Sequence, residues 1–339
     1  MDKDGLNVGR RGLIGLASAS AACLSLARPA LAQGGRPRVL RFGSPLPTNS
    51  TYYQAMVIFA DTLAKLSNGK LKAELYPAGQ LGGLKDMLTA VQLGTQSMLI
   101  TVPAWFSSFV PQMDVFTLPF MVSSTDRLRT ALDGAFGQRM AGYCAAANFQ
   151  LLGWWITGPR QIVNTLRPIH APGDLNGMKI RVIASQVYIE TFRLLGANPV
   201  ALDTSEVYLA LQQHVVEAMD NPVTDIVTGK FYEVTKYLSA TAMVTDFFIA
   251  AMNKNLWASL TPAEQGMVTQ AMKQASDWQW PAQLKALDEA LTKLRGILQY
   301  NELTAAERAA FAKATHPVYE KFTGSLGADL ISDAIKNLS

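Results

Sequence analysis

The sequence predicts an α/β protein whose sheets are parallel or mixed and covered by helices. Apolar residues over the first hundred positions switch between period two and period 3.6, in the order strand, helix, strand, helix. Further strand-like runs recur beyond residue 149, and the 339 residues suffice for one large core or for two lobes. No internal repeat or low-complexity linker divides the chain.

Val39–Phe42 reads as the first strand, broken by the loop Gly43-Ser-Pro-Leu-Pro-Thr48. Tyr52, Met56, Phe59, Leu63 and Leu66 then recur at spacings of four and three, which is the apolar stripe of a helix. Asn68-Gly69 supplies a left-handed stop. Leu71, Ala73 and Leu75 alternate as a strand does, and Leu84, Met87, Leu88 and Val91 mark a second helix. Met98–Val102 is an apolar strand followed by a loop carrying Trp105 and Phe106. Phe149–Ile156, with Trp154 and Trp155, is a strand expected to end before Arg160. Met178–Ile183 is rich in β-branched residues and reads as a buried strand. Thr204 is the expected N-cap of the helix that follows it. Val215–Met219 and Met243–Met252 are further strands, the first ended by Asp220-Asn221-Pro222. Thr261-Pro262-Ala263-Glu264 combines a capping box with proline at the first helical position and opens a long helix, interrupted or kinked near Pro281. Thr304 and Glu307 form a second capping box.

The formal charge is +4, and the first 32 residues hold four basic and two acidic side chains, so the remainder carries about +2. That balance gives no support for nucleic-acid binding. Those 32 residues read as an export signal, with Arg10-Arg11, a soft apolar stretch Leu13–Leu26 and an Ala30-Leu31-Ala32 cleavage site. The paired arginines fit the twin-arginine route, and the general secretory route stays open. Cys23 lies in this leader, leaving Cys144 as one thiol without an internal partner. His170, His214 and His316 are scattered without ligand spacing, so no metal site is expected. No G-x-x-x-x-G-K-[ST], G-x-S-x-G or H-E-x-x-H motif is present, which leaves nothing to mark ATP hydrolysis or a hydrolytic enzyme.

Arg181 interrupts the apolar run Met178-Lys-Ile-Arg-Val-Ile183. A buried guanidinium without a partner is very costly, so such an arginine faces an anion or a wet cleft. Read alone, it also fits an exposed strand-edge arginine paired with a surface carboxylate, since charged residues are mostly exposed. Four segments narrow the choice: Gly158-Pro-Arg160 with Asn164 and Arg167-Pro-Ile169, then Asp174-Leu-Asn-Gly-Met-Lys-Ile-Arg-Val182, then Ser205-Glu-Val-Tyr-Leu-Ala-Leu211, then Asp220-Asn-Pro222. In this order they resemble the extracytoplasmic solute-binding subunits of TRAP (tripartite ATP-independent periplasmic) transporters, in the dicarboxylate-binding-subunit family. Tyr76-Pro-Ala-Gly-Gln-Leu-Gly82 and Leu118-Pro-Phe120 extend the resemblance over roughly residues 38 to 325.

The resemblance implies a two-lobed, periplasmic-binding-protein-like fold, each lobe a mixed sheet flanked by helices, with a long C-terminal helix. Lobe I would span residues 33–157, completed by about 246–285. Lobe II would span 158–245, completed by about 286–325, with a tail helix over 326–339. Ligands in open α/β sheets sit at the carboxyl ends of strands. By resemblance Arg181 binds a carboxylate through its planar fork, Arg160 assists it and Asn221 hydrogen-bonds the acid. Asn49, Thr204, Trp105 and Trp155 join the substrate-binding set, and an apolar or aromatic ligand body is favoured. The implied protein is a non-catalytic, cofactor-free, periplasmic carrier that delivers an organic acid to a membrane permease, monomeric or at most dimeric. The competing readings are the binding component of an ATP-driven importer, a sensor domain, or an exported enzyme.

Overall fold

The computed structural model describes residues 36–339, so the stretch expected to be an export signal lies outside the described residues. The strands are β1 (Arg38–Gly43), β2 (Leu71–Tyr76), β3 (Met98–Thr101), β4 (Phe149–Asn164), β5 (Lys179–Val182), β6 (Asn198–Ala201), β7 (Ala218–Pro222), β8 (Tyr237–Ala240), β9 (Thr245–Asn253) and β10 (Gln299–Glu302). The helices are α1 (Thr51–Leu66), α2 (Leu84–Leu93), α3 (Pro103–Phe106), α4 (Thr125–Asp133), α5 (Ala135–Ala146), α6 (Gln186–Leu194) and α7 (Val207–Gln212). They continue with α8 (Val223–Thr228), α9 (Lys254–Ala258), α10 (Pro262–Arg295), α11 (Ala305–Thr315), α12 (Pro317–Leu326) and α13 (Ala328–Leu338).

Two mixed sheets meet on one strand. The path β2-β1-β3-β9-β4-β7-β5-β6 is continuous, with β8 added to β4 and β10 to β8. The first half of β4 pairs antiparallel with β9, from Phe149 opposite Asn253 to Pro159 opposite Thr245. Its second half pairs antiparallel with β7, from Arg160 opposite Pro222 to Asn164 opposite Ala218. The chain bends at Gly158, where the register to β9 skips one residue and φ is +106°. A Cβ at this position would sit 2.5 Å from Leu287 Cδ1, so glycine is required for both backbone and space.

Helix α10 is bolted to this bend. Gln279 Nε2 donates to Ile156 O at 2.8 Å, Trp280 Nε1 to Trp154 O at 3.0 Å and Gln283 Nε2 to Thr157 O at 3.0 Å. Thr157 is the residue skipped in the β4–β9 register, so Gln283 satisfies a carbonyl that the ladder leaves behind. These bonds also explain why α10 continues through Pro281 as one 34-residue helix, without the expected interruption. Pro281 and Asp277, whose carbonyl loses its helical partner, are both exposed, which lowers the cost of the missing bond.

Several expected boundaries shift. The strand opening at Phe149 runs on to Asn164, so Arg160 lies inside a strand instead of following one; the bend at Gly158 absorbs the Gly-Pro pair that reads as a turn. The strand expected over Val215–Met219 is Ala218–Pro222, and that over Met243–Met252 is Thr245–Asn253. Trp105 and Phe106 lie in a short helix started by Pro103. Asp203, not Thr204, caps the next turn, accepting from Ser205 N at 3.1 Å while Glu206 accepts from Asp203 N. The capping boxes at Thr261 and Thr304 form as the sequence indicates.

Candidate functional site

The strand ends and bends described above converge on a narrow cleft. Pro45, Leu46, Leu84, Val102 and Trp105 line it from the first sheet's loops and helices. Arg181, Ile183, Thr204, Asn221 and Pro222 line it from the second. Thr157, Arg160, Asp225, Asp246 and Phe248 lie around the bend between them.

Arg160 and Arg181 share the cleft but not their chemistry. Arg160 is buried in an internal ion cluster: Nε donates to Asp220 Oδ2 at 2.7 Å, Nη1 to Asp246 Oδ2 at 3.0 Å and Nη2 to Asp220 O at 2.6 Å. Burial opposes its charge, but Asp220, Tyr188 and Asp246 more than offset this and hold its pKa well above normal. Most of its fork is therefore spent on two acids of its own protein. Arg181 is 2% exposed and has no such acid. Its Nε and Nη2 donate to Leu202 O at 3.0 and 2.9 Å, and Nη2 reaches Thr204 Oγ1 at 3.4 Å. No carboxylate pairs with it among the described residues, and no protein acceptor engages Nη1. Burial, reinforced by the neighbouring charge of Arg160, pulls its pKa down to about 10. A protonated, desolvated guanidinium with a free edge is a receptor for an anion.

Other unspent polar groups surround it. Asn221 is 7% exposed, and its side-chain amide has no hydrogen-bond partner among the described residues. Thr157 Oγ1 is buried without a partner. The structure thus gathers Arg181, Arg160, Asn221, Thr204 and Trp105 in one cleft.

Two expected residues are elsewhere. Trp155 is fully buried and no part of the cleft wall. Strand side chains alternate between faces, and this one packs on Phe42 with ring centroids 6.3 Å apart while its Nε1 donates to Ser276 Oγ at 3.0 Å. Trp154 packs edge-on against Phe247 and is likewise outside the wall. Asn49 is exposed and lines an adjacent cavity of about 210 Å³ with Tyr52, Thr224, Gln283 and Lys293.

Sequence reasoning missed the acids. Asp246 lies in the apolar strand β9 and Asp225 in the short helix α8, between Val223 and Ile226. Burial raises Asp246 to about 6 against the pull of Arg160, and burial raises Asp225 to about 7 against Arg160, Thr224 and Tyr52. The signal was the one that marked Arg181: a charge embedded in an apolar run.

A family model described as bacterial extracellular solute-binding protein, family 7, matches residues 42–325. The C4-dicarboxylate-binding periplasmic protein DctP of Rhodobacter capsulatus is 30% identical over 326 residues, covering 95% of this chain and 97% of that one. A TRAP periplasmic solute-binding protein from Sulfurospirillum deleyianum, solved with bound succinate, superposes with TM-score 0.84 at 30% identity, covering 89% of this chain and 99% of that one. The sugar acid-binding protein DctPAm from Advenella mimigardefordensis, solved with galactonate, gives TM-score 0.86 at 30% identity, covering 90% and 99%.

Proposed function

The chain belongs to the bacterial extracellular solute-binding proteins of family 7, the solute-binding proteins of TRAP transporters, and on that premise we propose that Arg181 is its ligand anchor, holding the carboxylate of a captured organic acid. The observation that carries this reading is a buried guanidinium without an acid of its own, its Nη1 free of protein acceptors, in a cleft that the unpaired Asn221 also lines. Arg160 serves by charge and position: locked by Asp220 and Asp246, it fixes β4 and β7 relative to β9 and adds positive potential beside the anion site. Trp105, with Pro45, Leu46, Leu84 and Val102, receives the apolar body of the ligand.

The cleft measures about 30 Å³, room for two or three waters at the roughly 10–15 Å³ each requires. An organic acid enters only if the walls part. We take residues 33–157 with about 246–285 as one lobe and 158–245 with about 286–325 as the other, hinged at the β4 bend. Closure on the ligand then presents the docking form to the membrane permease. Export with cleavage after Ala32 and release into the periplasm complete the reading. The role is carriage without turnover or cofactor.

The test is calorimetry on protein unfolded and refolded to strip carried ligand, titrated with mono- and dicarboxylates, neutral sugars and amino acids. Saturation at about a hundred times Kd adds roughly 2.7 kcal/mol to stability, so a thermal shift screen locates the hits first. Carboxylate-only binding that Arg181→Ala abolishes supports the reading. Binding confined to neutral sugars, or carboxylate binding indifferent to Arg181, refutes it.

A further inference from the structure

With Arg160 engaged by Asp220 and Asp246, the cleft retains one uncommitted cation, Arg181, and one uncommitted acid, Asp225. Asp225 is the third residue of α8, is 9% exposed and lines both the arginine cleft and the adjacent cavity. Its carboxylate accepts a long hydrogen bond from Thr224 Oγ1 at 3.4 Å and lies near the Tyr52 hydroxyl. No basic side chain pairs with it among the described residues. The nearby amide of Gln283 is already spent, donating to Tyr52 Oη, Thr157 O and Thr224 Oγ1 while its Oε1 accepts from Thr51. A carboxylate has about four acceptor sites, so Asp225 keeps unfilled capacity in a place where unfilled capacity is costly.

We infer that Asp225 is a specificity-determining residue: it accepts a hydrogen bond from a hydroxyl or ammonium group on the ligand, so the cleft selects monocarboxylates bearing such a donor. The inference rests on the reading of the cleft as a carboxylate site. It narrows that reading in two ways. One free cation neutralises one carboxylate, and a second carboxylate on the ligand would face Asp225 and Asp246 in a desolvated space. An acid lacking any donor leaves Asp225 unfilled, the situation in which hydrogen-bonding sites discriminate most sharply. The apolar residues of the first-sheet wall offer no alternative partner for either group.

Calorimetry at pH 8 on the refolded protein tests this with matched probes: lactate against propionate, 3-hydroxybutyrate against butyrate, mandelate against phenylacetate, and succinate as the dicarboxylate. The expected result is that the best hydroxy acid binds at least tenfold tighter than its deoxy partner and tighter than succinate. Asp225→Leu removes that preference, and Asp225→Asn, which keeps the shape without the charge, raises succinate affinity at least tenfold. Arg181-dependent binding with no preference within any pair, or a preference that both variants retain, overturns the inference and leaves the carboxylate site standing. Failure of every carboxylate to bind the unsubstituted protein overturns both.

Discussion

Replacing Asp225 by asparagine makes the ligand-free protein more stable, and more so at high pH. The native carboxyl titrates at about 7 against 3.8 when solvated. The sign follows from proton binding. Between these values the folded state holds the proton that the unfolded state has released, so the group subtracts stability as pH rises through this window, and the penalty is complete above about 7. At about 1.36 kcal/mol per pKa unit the penalty is roughly 1.5 kcal/mol at pH 5 and about 4 kcal/mol at pH 8. Asparagine removes it at both. Its own packing cost is common to both conditions and cancels from the difference, which is about 2.5 kcal/mol. Repulsion from the nearby Asp246 is already contained in this shift. With an unfolding entropy near 2.1 cal/mol/K per residue over about 300 residues, the Tm increment of Asp225→Asn should be about 4 °C larger at pH 8 than at pH 5. Differential scanning calorimetry of refolded protein at the two pH values reads this directly. An increment equal at both pH values, or smaller at pH 8, would mean that the Asp225 carboxylate is solvated or paired, and the account of it as an uncommitted buried acid would fall.

Arg160→Lys should cost about 3–5 kcal/mol in urea unfolding, because a point charge replaces the fork and leaves Asp220 and Asp246 buried without their bonds; a change under 1 kcal/mol would show the cluster to be loosely held. The two tryptophans separate by function. Trp155→Ala should cost about 3–5 kcal/mol of stability without altering carboxylate selectivity. Trp105→Ala should instead change ligand affinity, and ligand-induced fluorescence change should vanish with it alone. Gly158→Ala should destabilise by about 1–3 kcal/mol, since the new methyl meets Leu287 at 2.5 Å in a backbone that disfavours a side chain; a neutral result in thermal melts would remove the bend from the list of required features.

Much of the fold was legible because it rests on local signals. The period-two and period-3.6 runs before residue 102 locate β1, α1, β2, α2 and β3, and the paired Thr and Glu at 261/264 and 304/307 locate two helix starts. What escaped was set by distant partners. Gly158-Pro159 looks like a turn until β7 and β9 claim opposite ends of one strand. Pro281 looks like a break until three side chains of α10 find β4 carbonyls. In the site, Arg181 was legible as a charge inside an apolar strand, whereas Asn221 stood out only by resemblance, in a segment that reads as the end of a strand and is part of β7. Trp155 was misplaced because the parity of a strand with two bulges is not readable from its letters. Asp225 and Asp246 went unremarked although each breaks an apolar run as Arg181 does; a rule applied to basic residues was not applied to acidic ones.

The placement of β9 between β3 and β4 has a consequence for the order in which the molecule is made. Strand β4 leaves the ribosome long before its first-sheet neighbour, and β3 likewise has one edge open until residues 245–253 exist. During that interval two apolar strands present unpaired backbone, the condition under which nascent chains aggregate or recruit chaperones. Pairing β4 with β9 closes contacts nearly a hundred residues apart in sequence, which slows the step that seals the sheet. The arginine cleft is assembled by the same event, since Asp246 arrives on β9 to complete the bonds of Arg160. The protein therefore completes its arginine cleft and loses its sticky edges together, late in synthesis, and any machinery that carries it across a membrane must either act before that moment or accept a finished fold.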